Sequence, residues 1–173
     1  DLVELQLRVA AGESLPGSLI DTPPTAHGHA IELRVYAEDP EQGFLPGSGK
    51  LERLRLPAPS AHVRIDSGVV EGDTVTIFYD PMIAKVITWD MTRELALVRM
   101  REALACCDIV GPKSNIEFLE NLVRHPAVVA GRIDTGYLDR HLDEFVRAPR
   151  ADAISTAAET TALLAATTAW LLH

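Results

Sequence analysis

Apolar and polar positions change period along this chain, and the changes divide it into elements. Leu2, Leu5 and Val9 fall on one helical stripe, and Asp1 followed three residues later by Glu4 gives an N-cap and capping-box signal, so a helix is expected to end near Gly12. Residues 12–25 carry Pro16, Gly17, Pro23 and Pro24 and read as a loop. The period then becomes two. Ile31, Leu33 and Val35 alternate with Glu32, Arg34 and Tyr36, the pattern of a strand that buries one face and presents the other. After a glycine- and proline-bearing loop over 39–49, strand-like runs recur at 51–56, 62–66, 74–79 and 82–89. Their short connections favour antiparallel pairing, because parallel strands need long crossovers.

Beyond residue 90 the period returns to that of a helix. Residues 92–106 place Leu97, Met100 and Leu104 inward, and Ser114 with Glu117 forms a capping box for a helix carrying Ile116, Leu119, Leu122 and Val123 that His125-Pro126 closes. A short helix is expected over 135–144. At Val146 the composition shifts to an Ala- and Thr-rich tail containing Leu163, Leu164, Trp170 and Leu171. The elements together predict an α+β fold: a largely antiparallel sheet with flanking helices.

Composition narrows what the fold can do. At 173 residues the chain can make one domain with a real core plus a short extra segment. An excess of 25 Asp and Glu over 16 Lys and Arg, with no local basic patch, argues against nucleic acid and anionic membrane as partners. The adjacent Cys106 and Cys107 suit neither a structural disulfide nor a metal site, which implies reduced thiols and a cytoplasm-like compartment. The apolar-leaning run 162–172 is too short to span a bilayer. Because the chain opens on Asp1 and enters directly into a helix, it is expected to be a piece of a longer polypeptide.

Candidate chemistry is sparse. Arg34 on a rigid strand would offer a permanent charge and paired donors to an anionic substrate; the competing reading is a solvated ion pair with Glu32. Residues 43–50 fail as a phosphate loop, since Phe44 and Leu51 stand where glycine and Ser or Thr are needed. His27 and His29 have the alternate spacing of strand-borne ligands, but no third ligand accompanies them, so no metal site is expected. The six histidines lie near no candidate nucleophile, which disfavours a hydrolase. Asp80 and Lys85 read as a turn carboxylate and a snorkelling lysine.

Several blocks taken together say more. His29-Ala30-Ile31-Glu32-Leu33-Arg34-Val35-Tyr36-Ala37-Glu38-Asp39-Pro40, Phe44-Leu45-Pro46, Gly49-Lys50, Tyr79-Asp80-Pro81-Met82-Ile83-Ala84-Lys85 and Gly111-Pro112-Lys113-Ser114-Asn115 stand in the order and spacing of the biotin carboxylase C-terminal domain, which residues 1–145 resemble. Within that family, Asn115-Ile116-Glu117-Phe118-Leu119, His125-Pro126 and Gly131 are most similar to the biotin-containing α-subunits of 3-methylcrotonyl-CoA carboxylases. On this resemblance residues 146–173 are the truncated start of the next linker or carboxylase-interaction domain.

The resemblance implies ATP- and bicarbonate-dependent carboxylation of biotin in the whole enzyme. Carboxyphosphate would form and decompose, and the biotin enolate would attack carbon dioxide. Arg34 matches the family's active-site arginine, near bicarbonate and the ureido oxygen, where a fixed charge stabilises a developing oxyanion. Thr135 matches a position near the adenine of ATP. Arg64, Asp80 and Arg99 match positions that some bacterial members use at a carboxylase dimer interface. The implied cofactors are biotin, ATP and Mg2+ or Mn2+, none expected to bind this piece tightly.

The implied partners are the upstream ATP-grasp region, which holds the metal-binding and general-base glutamates, together with a biotin carboxyl carrier domain and a carboxyltransferase β-subunit. The setting would be cytoplasmic in a bacterium and the mitochondrial matrix in a eukaryote. Acetyl-CoA, propionyl-CoA or pyruvate as final acceptor stays open, as does a non-catalytic scaffold.

Overall fold

Antiparallel pairing organises the molecule, but around a small sheet rather than a large one. The computed structural model describes residues 1–22 and 24–146; the expected tail with Leu163, Leu164, Trp170 and Leu171 lies outside the described residues. At its centre β8 (Met82–Asp90) pairs with β1 (His29–Tyr36) on one side and β6 (Val63–Ser67) on the other, both antiparallel. The order β1-β8-β6 leaves β1 at an edge. The alternation is realised as expected: Val35, Val86 and Thr88 are fully buried, whereas Glu32 and Arg34 face outward.

Three two-stranded ladders surround this sheet. They pair β2 (Glu38–Asp39) with β3 (Leu45–Pro46), β4 (Gly49–Lys50) with β7 (Thr74–Val75), and β5 (Arg53–Arg55) with β9 (Asp108–Val110). Residues 39–49 are therefore not a plain loop, and β9 was too short to register as a period. The run 74–79 stops at Val75 because its partner β4 is only two residues long; Ile77, Phe78 and Tyr79 continue as an exposed turn.

Helices cover the inner face of the sheet. In α3 (Arg93–Ala105), capped by the Thr92 hydroxyl accepting from the Leu95 amide, Leu97, Met100 and Leu104 are buried as expected. Behind it, α4 (Ile116–Arg124) buries Phe118, Leu119 and Val123, and α5 (Pro126–Val129) follows directly on His125. The expected capping box at Ser114 and Glu117 does not form. Asn115 is the N-cap and makes no side-chain bond to its own helix. The helix expected over 135–144 is shorter, α6 (Tyr137–His141) followed by a 3-10 turn (Leu142–Glu144), and it delivers Phe145 into the core beside Phe118 at a ring separation of 6.2 Å.

At the other end, α1 (Leu2–Ala10) is capped by Asp1, but Glu4 turns to Arg8 at 2.6 Å instead of completing a box. A second short helix, α2 (Gly17–Asp21), interrupts the expected loop. Leu2, Leu5 and Val9 of α1 and Leu15 and Leu19 beside them line an open groove of about 500 Å³, and α1 buries none of its residues. Among the described residues no helix is long and apolar enough to cross a membrane.

Candidate functional site

The outward face of the central sheet carries the charged side chains. Register sets Arg34 directly opposite Lys85 and Lys85 opposite Asp66; one row along, Glu32 lies opposite Ile87 and Ile87 opposite Arg64. Directly opposed side chains on one face sit roughly 5 Å apart at Cβ, and like charges so placed repel. Two cations, Arg34 and Lys85, therefore face each other on a rigid strand pair. Such an arrangement is costly alone and is relieved by an anion between them.

Neighbours soften the repulsion without cancelling it. Glu32 approaches Arg34 Nε at 3.7 Å, and the two side chains stay 58% (Arg34) and 46% (Glu32) exposed, so this ion pair is a loose one that leaves the guanidinium open to solvent. The Tyr36 phenol, and to a lesser degree Glu32, hold the Arg34 guanidinium above its ordinary value, so its charge is permanent. On β6, Arg64 Nε donates to Asp66 Oδ1 at 2.9 Å. That bond first, and Lys85 more weakly, hold Asp66 below the usual carboxylate range.

The sequence blocks that stood far apart converge at the end of β1. The Ala37 amide donates to the Pro81 carbonyl at 2.9 Å. Lys113 Nζ reaches Asp39 at 2.9 Å and Glu41 at 3.2 Å. The Lys113 bond chiefly holds Asp39 below its ordinary value, and Asp39 in turn caps the 3-10 turn Pro40–Gln42 by accepting from the Glu41 amide. These motif residues are thus the scaffold behind Arg34. Glu38, held above its ordinary value by burial and by the charge of Asp80, lies at the same junction.

Other candidates are dispersed. Thr135 is exposed and lines a groove of about 420 Å³ with an apolar floor that includes Leu97, Val123 and Val128, and Glu32 stands in the wall of that groove. Arg64 lies on the edge strand β6, level with the middle of β8. Asp80 precedes β8 and accepts from the Met82 amide at 3.1 Å, whereas Arg99 Nε donates to Asp90 Oδ2 at 2.6 Å at the far end. At about 3.3 Å per residue the two ends of β8 are roughly 26 Å apart, so Arg64, Asp80 and Arg99 form no single cluster. His27 and His29 are both exposed, and the His27 carbonyl accepts from Trp89 Nε1 at 3.2 Å. Among the described residues no group of three or more His, Cys, Asp or Glu could hold a metal, and Cys106 and Cys107 are free thiols. Burial pushes the Cys107 thiol up to about 11, which makes it unreactive.

Lys85 was discounted in the sequence because cross-strand register has no local signal. Only the pairing of β1 with β8 puts it opposite Arg34.

Comparison with known proteins bears on this arrangement. The family model described as the biotin carboxylase C-terminal domain matches residues 32–140. The mitochondrial methylcrotonoyl-CoA carboxylase subunit alpha of Dictyostelium discoideum is 44% identical over 166 residues, 95% of this chain and 24% of that protein. The corresponding subunit of Mus musculus is 46% identical over 141 residues, 82% of this chain and 19% of that protein. Among solved structures, the biotin carboxylase domain of Hydrogenobacter thermophilus 2-oxoglutarate carboxylase, in complex with MgADP, ADP and bicarbonate, superposes with a TM-score of 0.76 at 38% identity, covering 86% of this chain and 32% of that one. The chain thus spans about a quarter or less of the length of these curated relatives.

Proposed function

Since the chain belongs to the biotin carboxylase C-terminal domain family, we propose that it completes the active site of a biotin-dependent acyl-CoA carboxylase, with 3-methylcrotonyl-CoA as final acceptor. The observation that carries this reading is Arg34: a permanently charged, half-exposed guanidinium on a rigid strand, opposite Lys85, beside the Tyr36 phenol and loosely paired with Glu32. These residues fit an anionic oxygen. When bound, biotin supplies the ureido nitrogen that takes up the carboxyl group, with ATP and Mg2+ activating bicarbonate.

The chain's own part is electrostatic. Arg34 directs its donors at oxygens where negative charge accumulates, and a donor already fixed by the strand needs no reorganisation at that moment. Lys85 adds a second positive charge opposite it on β8. Thr135 lines the 420 Å³ groove, and on this reading it would border the adenine. Arg64, Asp80 and Arg99 are offered to a neighbouring subunit, Arg99 through the part of its side chain left exposed by its bond to Asp90. Residues 1–145 form the domain and 146–173 begin the next. An upstream ATP-grasp region, a biotin carboxyl carrier domain and a carboxyltransferase β-subunit complete the enzyme, in the cytoplasm of a bacterium or the mitochondrial matrix of a eukaryote.

The test compares the complete polypeptide with residues 1–173 alone. The complete chain is expected to release ADP from Mg-ATP at a rate that rises steeply with biotin and bicarbonate. Calorimetry on residues 1–173 is expected to show no saturable Mg-ATP binding at micromolar nucleotide, because most ligands to nucleotide and metal would come from the upstream region. Tight binding by the short chain, or a complete chain indifferent to biotin, contradicts the proposal.

A further inference from the structure

Asn115 sits at the N-cap of α4, where an asparagine ordinarily accepts a bond from the helix's own amides. It does not do so here, although it is only 5% exposed. Its side chain instead crosses to the edge strand: Nδ2 donates to the Arg34 carbonyl at 3.1 Å, and Oδ1 accepts from the Tyr36 amide at 2.9 Å. The Asn115 backbone amide adds a third bond, to the Tyr36 carbonyl at 3.1 Å. Only one orientation of the amide satisfies both side-chain bonds, since its two ends have opposite hydrogen-bonding character.

The place of these bonds gives them meaning. In a strand, the carbonyl of one residue and the amide of the second residue after it project from the same edge, and a neighbouring strand would normally pair with both. Among the described residues, no strand pairs with β1 on that edge. On its other edge the register with β8 shifts between Val35 and Tyr36, so the ladder is locally broken just beyond Arg34. A bulge re-aims the side chains around it and needs to be held in one geometry. The Asn115 amide supplies the missing strand at that point.

We infer that Asn115 is a positioning residue for Arg34: its amide fixes the backbone on either side of Val35 and so sets where the guanidinium points. This inference rests on the reading of Arg34 as the anion-stabilising arginine. Misplacement of a reacting group by about 1 Å from a remote change can cost on the order of a hundredfold in rate. Asn115 then matters to chemistry beyond its share of stability.

The experiment is a double-mutant cycle in the complete carboxylase polypeptide, with biotin carboxylation normalised to titrated ATP sites so that any unfolded fraction divides out. Asn115→Asp keeps the acceptor for the Tyr36 amide but sets an oxygen against the Arg34 carbonyl; Asn115→Ala removes both bonds and serves if the aspartate variant does not fold. The inference expects a fall in kcat of roughly 10- to 100-fold with the KM for ATP changed less than about twofold. In an Arg34→Ala background the same substitution should cost less than about twofold, because the group it positions is gone. An equal loss in both backgrounds, or failure of both variants to yield ATP-binding enzyme, assigns Asn115 to folding and overturns the inference. If Arg34→Ala by itself leaves the rate unchanged, it is the reading of Arg34 that fails, and the inference with it.

Discussion

The buried carboxylate of Asp90 accepts from the Met91 amide at 2.7 Å and from Arg99 Nε at 2.6 Å, with His62 at 3.9 Å. The amide and Arg99 together hold Asp90 below the usual carboxylate range. A depressed native value adds stability that is fully present above the unfolded value, about 3.9, and is lost as pH falls through the native one. Asp90→Asn should therefore melt below wild type at pH 7, with the gap closing as pH falls from about 4 toward 3. Melting temperatures across that range check this, and a gap that stays constant contradicts it. Arg99 is thus engaged within its own chain, a use that its sequence position did not reveal. The outward placement of Arg34 was legible because it falls on the polar positions of an apolar alternation; the bonds of Asn115 were not, because they span 79 and 81 residues of sequence.

Elements were legible where they are long. The alternation of β1 and β8 and the inward stripe of α3 were plain because each covers several repeats of its period, whereas two- and three-residue ladders contain less than one full repeat of evidence. β9 exists because β5 offers it an edge, and Gly111 makes that meeting possible. Gly111 has φ +144°, and a Cβ there would collide with the Lys50 carbonyl. Gly111→Ala should cost about 2–4 kcal/mol of stability, since both the backbone conformation and the close approach forbid a side chain. Urea unfolding measures this directly. A loss below about 0.5 kcal/mol would mean that the β5–β9 ladder shifts freely to make room.

At the scale of the whole molecule, charge gathers on one face of the sheet and the core on the other. Its core closes behind the sheet, through Leu97, Met100, Phe118 and Phe145, while the outward face keeps Arg34, Lys85 and Arg64 exposed or half-exposed and the turn 77–79 uncovered. Under the proposed function, a face so charged is where the upstream region would close around anions. The most direct measurement replaces Arg34 by alanine in the complete polypeptide and reads rate and melting temperature on one preparation. Biotin carboxylation per folded molecule should fall by about a hundredfold or more, as loss of one preorganised oxyanion donor does, with ATP affinity nearly unchanged. The melting temperature should move by no more than about 2 °C, because the side chain is largely solvated and its ion pair loose. An unchanged rate with a clearly lowered melting temperature would make Arg34 a structural residue and contradict the account.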